Sequence, residues 1–328
     1  MGRSEQETRF VNGKWDSIPG IRRFQHEAMA TTFQVIILHK DGRYAEQAAQ
    51  AAFDELDRLE GELSRFIENS DISRINDLVP GQPLRVGLDT FECLRLSSRL
   101  YEETNGAFDI TVGALVGCYF NKDKTARTPS KEELNTARRQ IGLQLLQLDE
   151  GRYSVLVTGS VDIDLGGIGK GYALDKMAEL LRDWSIDNAL IHGGYSSVLA
   201  LDGPPETKGW PVTLSHPLDC RQTLARLCLQ GGALSGSGLQ KGQHIIDPRT
   251  ARPVEGRLAS WASAADAATA DALSTAFMVM SADEVEEYCL CHADVSAMII
   301  AKESSKKTKK DKILRFGWWD GGGAVREG

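Results

Sequence analysis

The chain contains no run of about 18 apolar residues, so none of its helices is expected to span a bilayer. Cysteine is sparse and scattered, at Cys93, Cys118, Cys220, Cys228, Cys289 and Cys291. Only Cys289-Leu-Cys291-His292 is a cluster, and no second cluster completes a zinc site, so buried reduced thiols are expected. Positive charge is not in excess either: the net charge of −8 argues against general nucleic-acid binding. That charge is uneven. Six lysines against Glu303 and Asp311 give residues 302–312 a charge of +4, which leaves −12 elsewhere. Residues 1–9 lack the apolar core of a secretory signal, and a cytoplasmic protein is expected. The Gly-x-Ser-x-Gly elbow and the His-Glu-x-x-His motif are also missing.

What is present is the composition of a soluble globular protein, 41% hydrophobic and 26% charged, over a length that can bury a large core. Residues 1–20 are polar and aperiodic and read as a flexible N-terminal arm ahead of a domain at 21–328. A strand is expected at 31–39. A helix follows at 44–64, where Ala48, Ala52, Leu56, Leu59 and Leu63 form an apolar stripe. Asn69-Ser70-Asp71 reads as the start of a short helix. A longer one at 91–104 ends at Asn105-Gly106. Residues 129–141 read as a polar peripheral helix, and 153–157 with 161–165 as a hairpin. A buried strand is expected at 188–192 and a strand at 197–201, with further short strands at 210–215, 225–229 and 232–235. An alanine-rich helix near 266–280 precedes a solvated lysine-rich hairpin loop between 298–301 and 313–316.

The chain's centre of interest is Asp164-Leu-Gly-Gly-Ile-Gly-Lys-Gly-Tyr-Ala-Leu-Asp175, a glycine turn running into a helix. Gly166, Gly167, Gly169 and Gly171 allow close backbone approach to a ligand. Lys170 sits at a helix start, where anions are favoured, and a phosphate-bearing ligand is inferred. The P-loop spacing fails, because it would need glycine at Asp164 and Ser or Thr at Gly171. The dinucleotide fingerprint fails as well, since Gly167, Gly169 and Gly171 alternate. An ordinary strand-to-helix turn is the alternative.

Asp271 and Thr275 are one helical turn apart, so both side-chain oxygens share a face. A carboxylate and a hydroxyl make half of a hard-cation site. A threonine bonded to its own backbone is the alternative. His244 precedes Ile245-Ile246 and the Asp247-Pro248-Arg249-Thr250 turn, a position suited to a general base or a phosphate contact. A buried, satisfied histidine is the other reading.

These stretches occur together and in order. Met29-Ala-Thr-Thr-Phe33, Ser64-Arg-Phe66, Ser70-Asp-Ile-Ser-Arg-Ile-Asn76 and Gly106-Ala-Phe-Asp-Ile-Thr-Val-Gly113 precede the glycine turn; Gly193-Gly194, His244-Ile-Ile-Asp-Pro-Arg-Thr250 and Ala270-Asp-Ala-Leu-Ser-Thr275 follow it. From about residue 29 to 301 the chain resembles the ApbE-like FAD:protein FMN transferases. The resemblance implies an α+β fold, with mixed sheets flanked by helices and FAD in a cleft between two interleaved subdomains. The implied activity moves FMN from FAD to a threonine or serine hydroxyl of a target protein and releases AMP.

By resemblance, Asp271, Thr275 and the Gly169 carbonyl match magnesium ligands, and Lys170 with the glycine-turn amides matches a hold on the FAD phosphates. Met29, Phe66, Ala107, Phe108 and Asp109 match positions lining the flavin or adenosine, with Gly166, Tyr172 and Ile246 completing the pocket. His244 and Asp247 are candidates for activating or orienting the acceptor hydroxyl. The chain departs from the family pattern at Ile110, Ala114, Tyr195, Gly236-Ser-Gly238 and Ala251. The neighbouring expectations are a magnesium-dependent FAD pyrophosphatase and a non-catalytic flavin-binding protein.

Overall fold

The computed structural model describes residues 20–121, 125–194, 196–219, 221–239, 245–302 and 311–319. The chain opens on a hairpin of β1 (Ile21–Ala28) and β2 (Thr31–Leu38). Its two-residue turn is Met29-Ala30, with φ of 50° and 57°. Positive φ at both positions matches the twist of the flanking strands, although neither residue is the glycine or asparagine that adopts it cheaply. Asp41 then caps α1 (Gly42–Leu63), its carboxylate accepting from the Arg43 and Tyr44 amides. The apolar stripe of α1 is buried as expected, with Ala48, Ala52, Leu56 and Leu59 fully enclosed. Truncating Leu56 to alanine is expected to cost about 2–5 kcal/mol.

The chain next builds an outlying layer. Ser70 accepts from the Ser73 amide and starts α2 (Asp71–Asn76). Then come β3 (Pro83–Arg85) and α3 (Leu88–Glu103), which stops where Asn105 and Gly106 turn left-handed. The short α4 (Gly113–Tyr119) and the capping-box helix α5 (Lys131–Arg138) follow. The pair β4 (Leu146–Asp149) and β5 (Ser154–Val157) closes a three-stranded sheet in the order β3-β5-β4.

Helix α6 (Gly169–Asp183) returns the chain to its first layer. There follow β6 (Ala189–Gly193), β7 (Ser197–Ala200), β8 (Trp210–Ser215), β9 (Thr223–Leu229) and β10 (Gly232–Gly238). A two-stranded turn, β11 (Ile246–Asp247) with β12 (Arg252–Pro253), leads to β13 (Arg257–Ala264), α7 (Ala267–Val279) and α8 (Ala282–Cys291). The last strands are β14 (Ser296–Ala301) and β15 (Lys312–Phe316), an antiparallel pair. The lysine-rich residues between them lie mostly outside the described residues.

The main sheet has eight strands in the order β1-β2-β6-β7-β10-β13-β14-β15. Each pairing is antiparallel. Antiparallel strands alternate faces, and β2 shows it: Phe33, Val35 and Ile37 enter one apolar cluster, Ile36 another. Helices α1, α6 and α7 cover the first face, while Trp210, Val212 and Leu214 of the β8-β9 ribbon pack on Trp261, Met298 and Ile300 of the second. The first cluster also takes in Ile72, Phe91 and Val155, so the outlying layer shares one continuous core with the main sheet. The mixed α+β layering matches the expectation.

One expected element is absent. Residues 161–165 form no strand, although Val161, Ile163 and Leu165 alternate and are buried. Their backbone is held instead by the Asn76 amide, which accepts from the Ile163 N–H at 2.7 Å and donates to the Ile163 carbonyl at 3.1 Å. The Asp162 carbonyl accepts from Gly113 N–H, and Asp164 N–H donates to Ile110. An apolar alternation reports burial, and here side chains and a loop supply the backbone partners that a neighbouring strand would give.

Candidate active site

The glycine turn is anchored from its N-terminal side. Arg65, in the loop after α1, places Nη2 2.7 Å from Asp162 Oδ1 and Nη1 3.1 Å from Asp164 Oδ2. The other Asp164 oxygen accepts from the Gly166 N–H at 2.8 Å. One guanidinium thus neutralises two carboxylates that would otherwise repel each other, and ties the α1 loop to the turn. Burial raises the Asp162 carboxyl above its ordinary range, Arg65 opposes that, and the Asp164 charge adds to it.

The four glycines of the turn do different work. Gly167 sits against α7 and Phe108: a side chain there would begin 3.2 Å from Thr275 Oγ1 and 3.4 Å from the Phe108 ring. Gly171 does not. A Cβ on it would fall inside the Ala267 carbonyl oxygen and the Ala268 backbone, so this glycine serves the contact of α6 with α7. Gly166 is open except toward Asp164, and Gly169 starts α6 with its amide on the Leu165 carbonyl at 2.7 Å.

Helix α7 brings the second half of the site. Asp271 is 2% exposed, and its Oδ2 lies 3.2 Å from Lys170 Nζ and 3.2 Å from the Gly171 amide. Its Oδ1 accepts from Ser197 Oγ at 3.2 Å. Lys170 also donates to the Gly166 carbonyl at 3.2 Å, so the lysine bridges the turn and α7. Thr275, one turn beyond Asp271, has its hydroxyl 3.2 Å from Ser237 Oγ, and Ser237 in turn meets Ser274 Oγ at 2.8 Å. The strand registers set Met29-Ala30, Gly193, Ser197 and Ser237 at one end of the main sheet, beneath this part of α7.

The remaining expected residues are distributed unequally. Ala107, Phe108 and Asp109 are buried, Phe108 against Gly167. Asp109 caps a 3-10 turn at Ile110–Val112, accepting from the Thr111 N–H at 2.8 Å and hydroxyl at 2.6 Å; burial still raises its carboxyl above the usual range. Phe66 is 88% exposed, with Arg65 over its ring, and offers an open stacking surface. Met29 is partly buried at the hairpin turn. Tyr172 points elsewhere: its hydroxyl donates to Asp89 at 2.9 Å, on the α3 side of α6. Ile246 packs with Leu115, Cys118, Ala137 and Ala251. Asp247 accepts from the Arg249 amide and the Thr250 hydroxyl, an occupation that stabilises the turn itself. His244 and Tyr195 lie outside the described residues. No role is read from sequence for Arg65, Asn76, Ser197 or Ser237, although Arg65 and Asn76 lie in stretches that carry the resemblance and Ser237 in one that departs from it. Their types are common, and only the fold brings them to the turn and to α7.

Residues 29–299 match the ApbE family. The chain belongs to the ApbE family. Its similarity extends to proteins named FAD:protein FMN transferase: one from Klebsiella pneumoniae (strain 342) is 29% identical over 302 residues, covering 86% of this chain and 85% of that protein. One from Escherichia coli (strain K12) is 28% identical over 299 residues, with the same coverage of 86% and 85%. The crystal structure of the ApbE protein from Thermotoga maritima superposes with a TM-score of 0.79 at 26% identity, covering 90% of this chain and 97% of that one. The apo flavinyl transferase ApbE from Pseudomonas stutzeri shares the fold at TM-score 0.80 and 23% identity, covering 90% and 94%. Among the described residues no helix is long and apolar enough to cross a membrane.

The donors of this ApbE-family site suit a hard divalent cation. No group of three or more His, Cys, Asp or Glu side chains that could hold a metal exists among the described residues. The site offers the Asp271 carboxylate and the hydroxyls of Thr275 and Ser237 instead. Such a set is too poor to hold magnesium alone, and fits one that completes its shell with phosphate oxygens and water.

Proposed function

We propose that this chain transfers FMN from FAD to a serine or threonine hydroxyl of an acceptor protein, releasing AMP. The observation that carries the reading is the meeting of Lys170, Asp271 and Thr275 beneath the glycine turn. The names of the curated relatives support the same chemistry. In this reaction the acceptor oxygen attacks the FMN-side phosphorus, the bond from that phosphorus to the bridging oxygen breaks, and AMP departs with the electron pair. The hydroxyl proton leaves as the new ester forms. Such a displacement asks the protein for charge neutralisation and alignment more than for covalent participation.

Lys170 and the amides of the glycine turn hold the pyrophosphate in this reading. Asp271, Thr275 Oγ1 and the Gly169 carbonyl would hold a magnesium ion, which when bound supplies further neutralisation of the phosphate oxygens. Phe66 offers an exposed ring surface, Phe108 backs Gly167 from the core, and Met29, Ala107, Asp109 and Gly166 complete the lining. His244 accepts or orients the hydroxyl proton, and Asp247 fixes the turn that follows it.

The test is incubation of purified protein with FAD and magnesium, with and without a flavin-acceptor domain, followed by chromatography. AMP with protein-bound flavin, formed only when acceptor is present, is the expected result. AMP with free FMN in the absence of acceptor identifies a pyrophosphatase instead. Intact FAD under both conditions overturns the enzymatic reading in favour of a flavin-binding protein.

A further inference from the structure

Two helices of the site cap each other. The backbone N–H groups at a helix start have no partner within the helix and must find one outside it. At the start of α7, Ala267 N–H donates to Asp175 Oδ1 at 2.7 Å and Ala268 N–H donates to Asp175 Oδ2 at 2.8 Å. Asp175 belongs to α6. At the start of α6, Gly171 N–H donates to Asp271 Oδ2 at 3.2 Å, and Asp271 belongs to α7. Each helix therefore lends a carboxylate, placed one turn further along, to the first turn of the other. The two starts touch backbone to backbone, which is why position 171 has no room for a Cβ.

We propose that Asp175 is a positioning residue for the reaction, closing a reciprocal clamp that sets where Asp271 and Thr275 stand relative to Lys170 and the glycine turn. The proposal rests on the transferase reading for its kinetic consequence but not for the clamp itself. Asp175 lies beside Tyr172 and Lys176 where α6 meets the start of α7, and its side chain is hydrogen-bonded to the Ala267 and Ala268 amides, neither of which is proposed to meet FAD. Without it, the side-chain hydrogen bonds among the described residues that join the first turns of α6 and α7 all run to Asp271. That carboxylate would then have to serve Gly171, Lys170, Ser197 and a cation while also fixing the helix crossing. A shift of about 1 Å in such an arrangement is enough to slow a reaction about 100-fold.

The clamp is testable without any activity. Asp175→Asn keeps the size of the side chain but turns an acceptor oxygen into an NH2 facing a backbone donor. Amide hydrogen exchange in Asp175→Asn should quicken at least about tenfold at Gly171, whose N–H the Asp175 side chain does not bind; in Asp271→Asn it should quicken at Ala267 and Ala268 by a similar factor. Faster exchange confined to the amides each carboxylate itself binds overturns the clamp. Should Asp175→Asn not fold, the Asp271→Asn arm decides alone.

The kinetic consequence is read separately, with the unsubstituted protein as control. In folded Asp175→Asn, kcat should fall about 10- to 100-fold with the KM for FAD within twofold. Mn2+ bound to the FAD-loaded protein, followed by paramagnetic relaxation, should need about fivefold more metal for half-saturation. A Tm drop with unchanged kcat, KM and Mn2+ uptake reduces Asp175 to a structural residue and overturns the positioning role. Absence of turnover in the unsubstituted protein counts against the transferase reading and leaves the exchange result to judge the clamp.

Discussion

Lys170 Nζ stands 3.2 Å from Asp271 Oδ2, with the lysine side chain 23% exposed and the aspartate side chain 4%. The carboxylate is thus buried and the ammonium group is the more exposed partner of the pair. A phosphate arriving there meets a lysine already oriented by Asp271 and by the Gly166 carbonyl. Replacing Lys170 with methionine should lower FAD cleavage about 10²-fold, by analogy with the loss of one preorganised donor at an anionic centre. It should also weaken FAD binding, measured by quenching of flavin fluorescence. Unchanged turnover in this variant would remove the lysine from the phosphate site.

Thr275 separates the cation-site reading from a plain helix-backbone role. Its hydroxyl has Ser237 as a neighbour, and its bond to the Asp271 carbonyl is long at 3.4 Å. Thr275→Val removes only the hydroxyl, at an expected stability cost of about 0.5–1.5 kcal/mol. The magnesium concentration giving half-maximal rate should rise at least about tenfold, and Thr275→Ser should restore it to within about threefold. If valine and serine behave alike in a magnesium titration, Thr275 is not a cation ligand.

The apolar stripe of α1, the Ser70 cap and the alanine-rich α7 were legible because each is encoded within one turn or one helix face. The segment 161–165 was misread because its alternation of Val161, Ile163 and Leu165 reports which side is buried and says nothing of what bonds the backbone. Gly171 was grouped with ligand-facing glycines for a similar reason. Steric need for a glycine is visible in sequence, whereas its cause, here the backbone of Ala267, lies almost a hundred residues away. Lys170, Asp271 and Thr275 could be named in advance as chemically suitable types at suitable spacing. Ser197 and Ser237 could not, since serines on short strands acquire meaning only from strand register.

Arg65 is expected to act on binding more than on chemistry. Its guanidinium spans Asp162 and Asp164, whose side chains are 30% and 26% exposed. Arg65→Met leaves two neighbouring carboxylates uncompensated beside the glycine turn. Solvent access softens the loss, and the stability cost should be about 1–3 kcal/mol. The KM for FAD should rise about tenfold while kcat changes less than threefold. A kcat loss with unaltered KM would place Arg65 among groups acting on the transition state instead.

Phe66 provides the converse case, a residue that folding does not need. At 88% exposure its ring contributes little to the core. Phe66→Ala should leave the Tm within about 1 °C and stability within about 0.5 kcal/mol, as surface substitutions do. FAD affinity should nevertheless fall about 5- to 50-fold if the ring stacks on the ligand, from the usual worth of base–aromatic stacking. Calorimetric titration with FAD and with FMN would show which end of the ligand the ring meets. Undiminished affinity for both would remove Phe66 from the pocket.

The pH dependence of stability should carry the mark of Asp175. Burial raises its carboxyl to about 7, Asp266 and Glu179 add to the rise, and the Ala267 and Ala268 amides oppose it. Lys176, on the same face of α6, also senses the Asp175 charge. The native carboxylate that caps α7 above about pH 7 takes up a proton below it, whereas in the unfolded chain it stays ionised down to the ordinary value of 3.8. Between those limits the native state binds more protons, so stability falls as pH rises and levels off above about 7. Asp109 and Asp162 are also raised, so the native curve alone does not isolate one group. The difference between the native protein and Asp175→Asn does: thermal unfolding from pH 5 to 8 should show the native Tm falling more steeply than that of the variant. Parallel curves would mean that the two α7 amides keep the Asp175 carboxylate ionised against its burial.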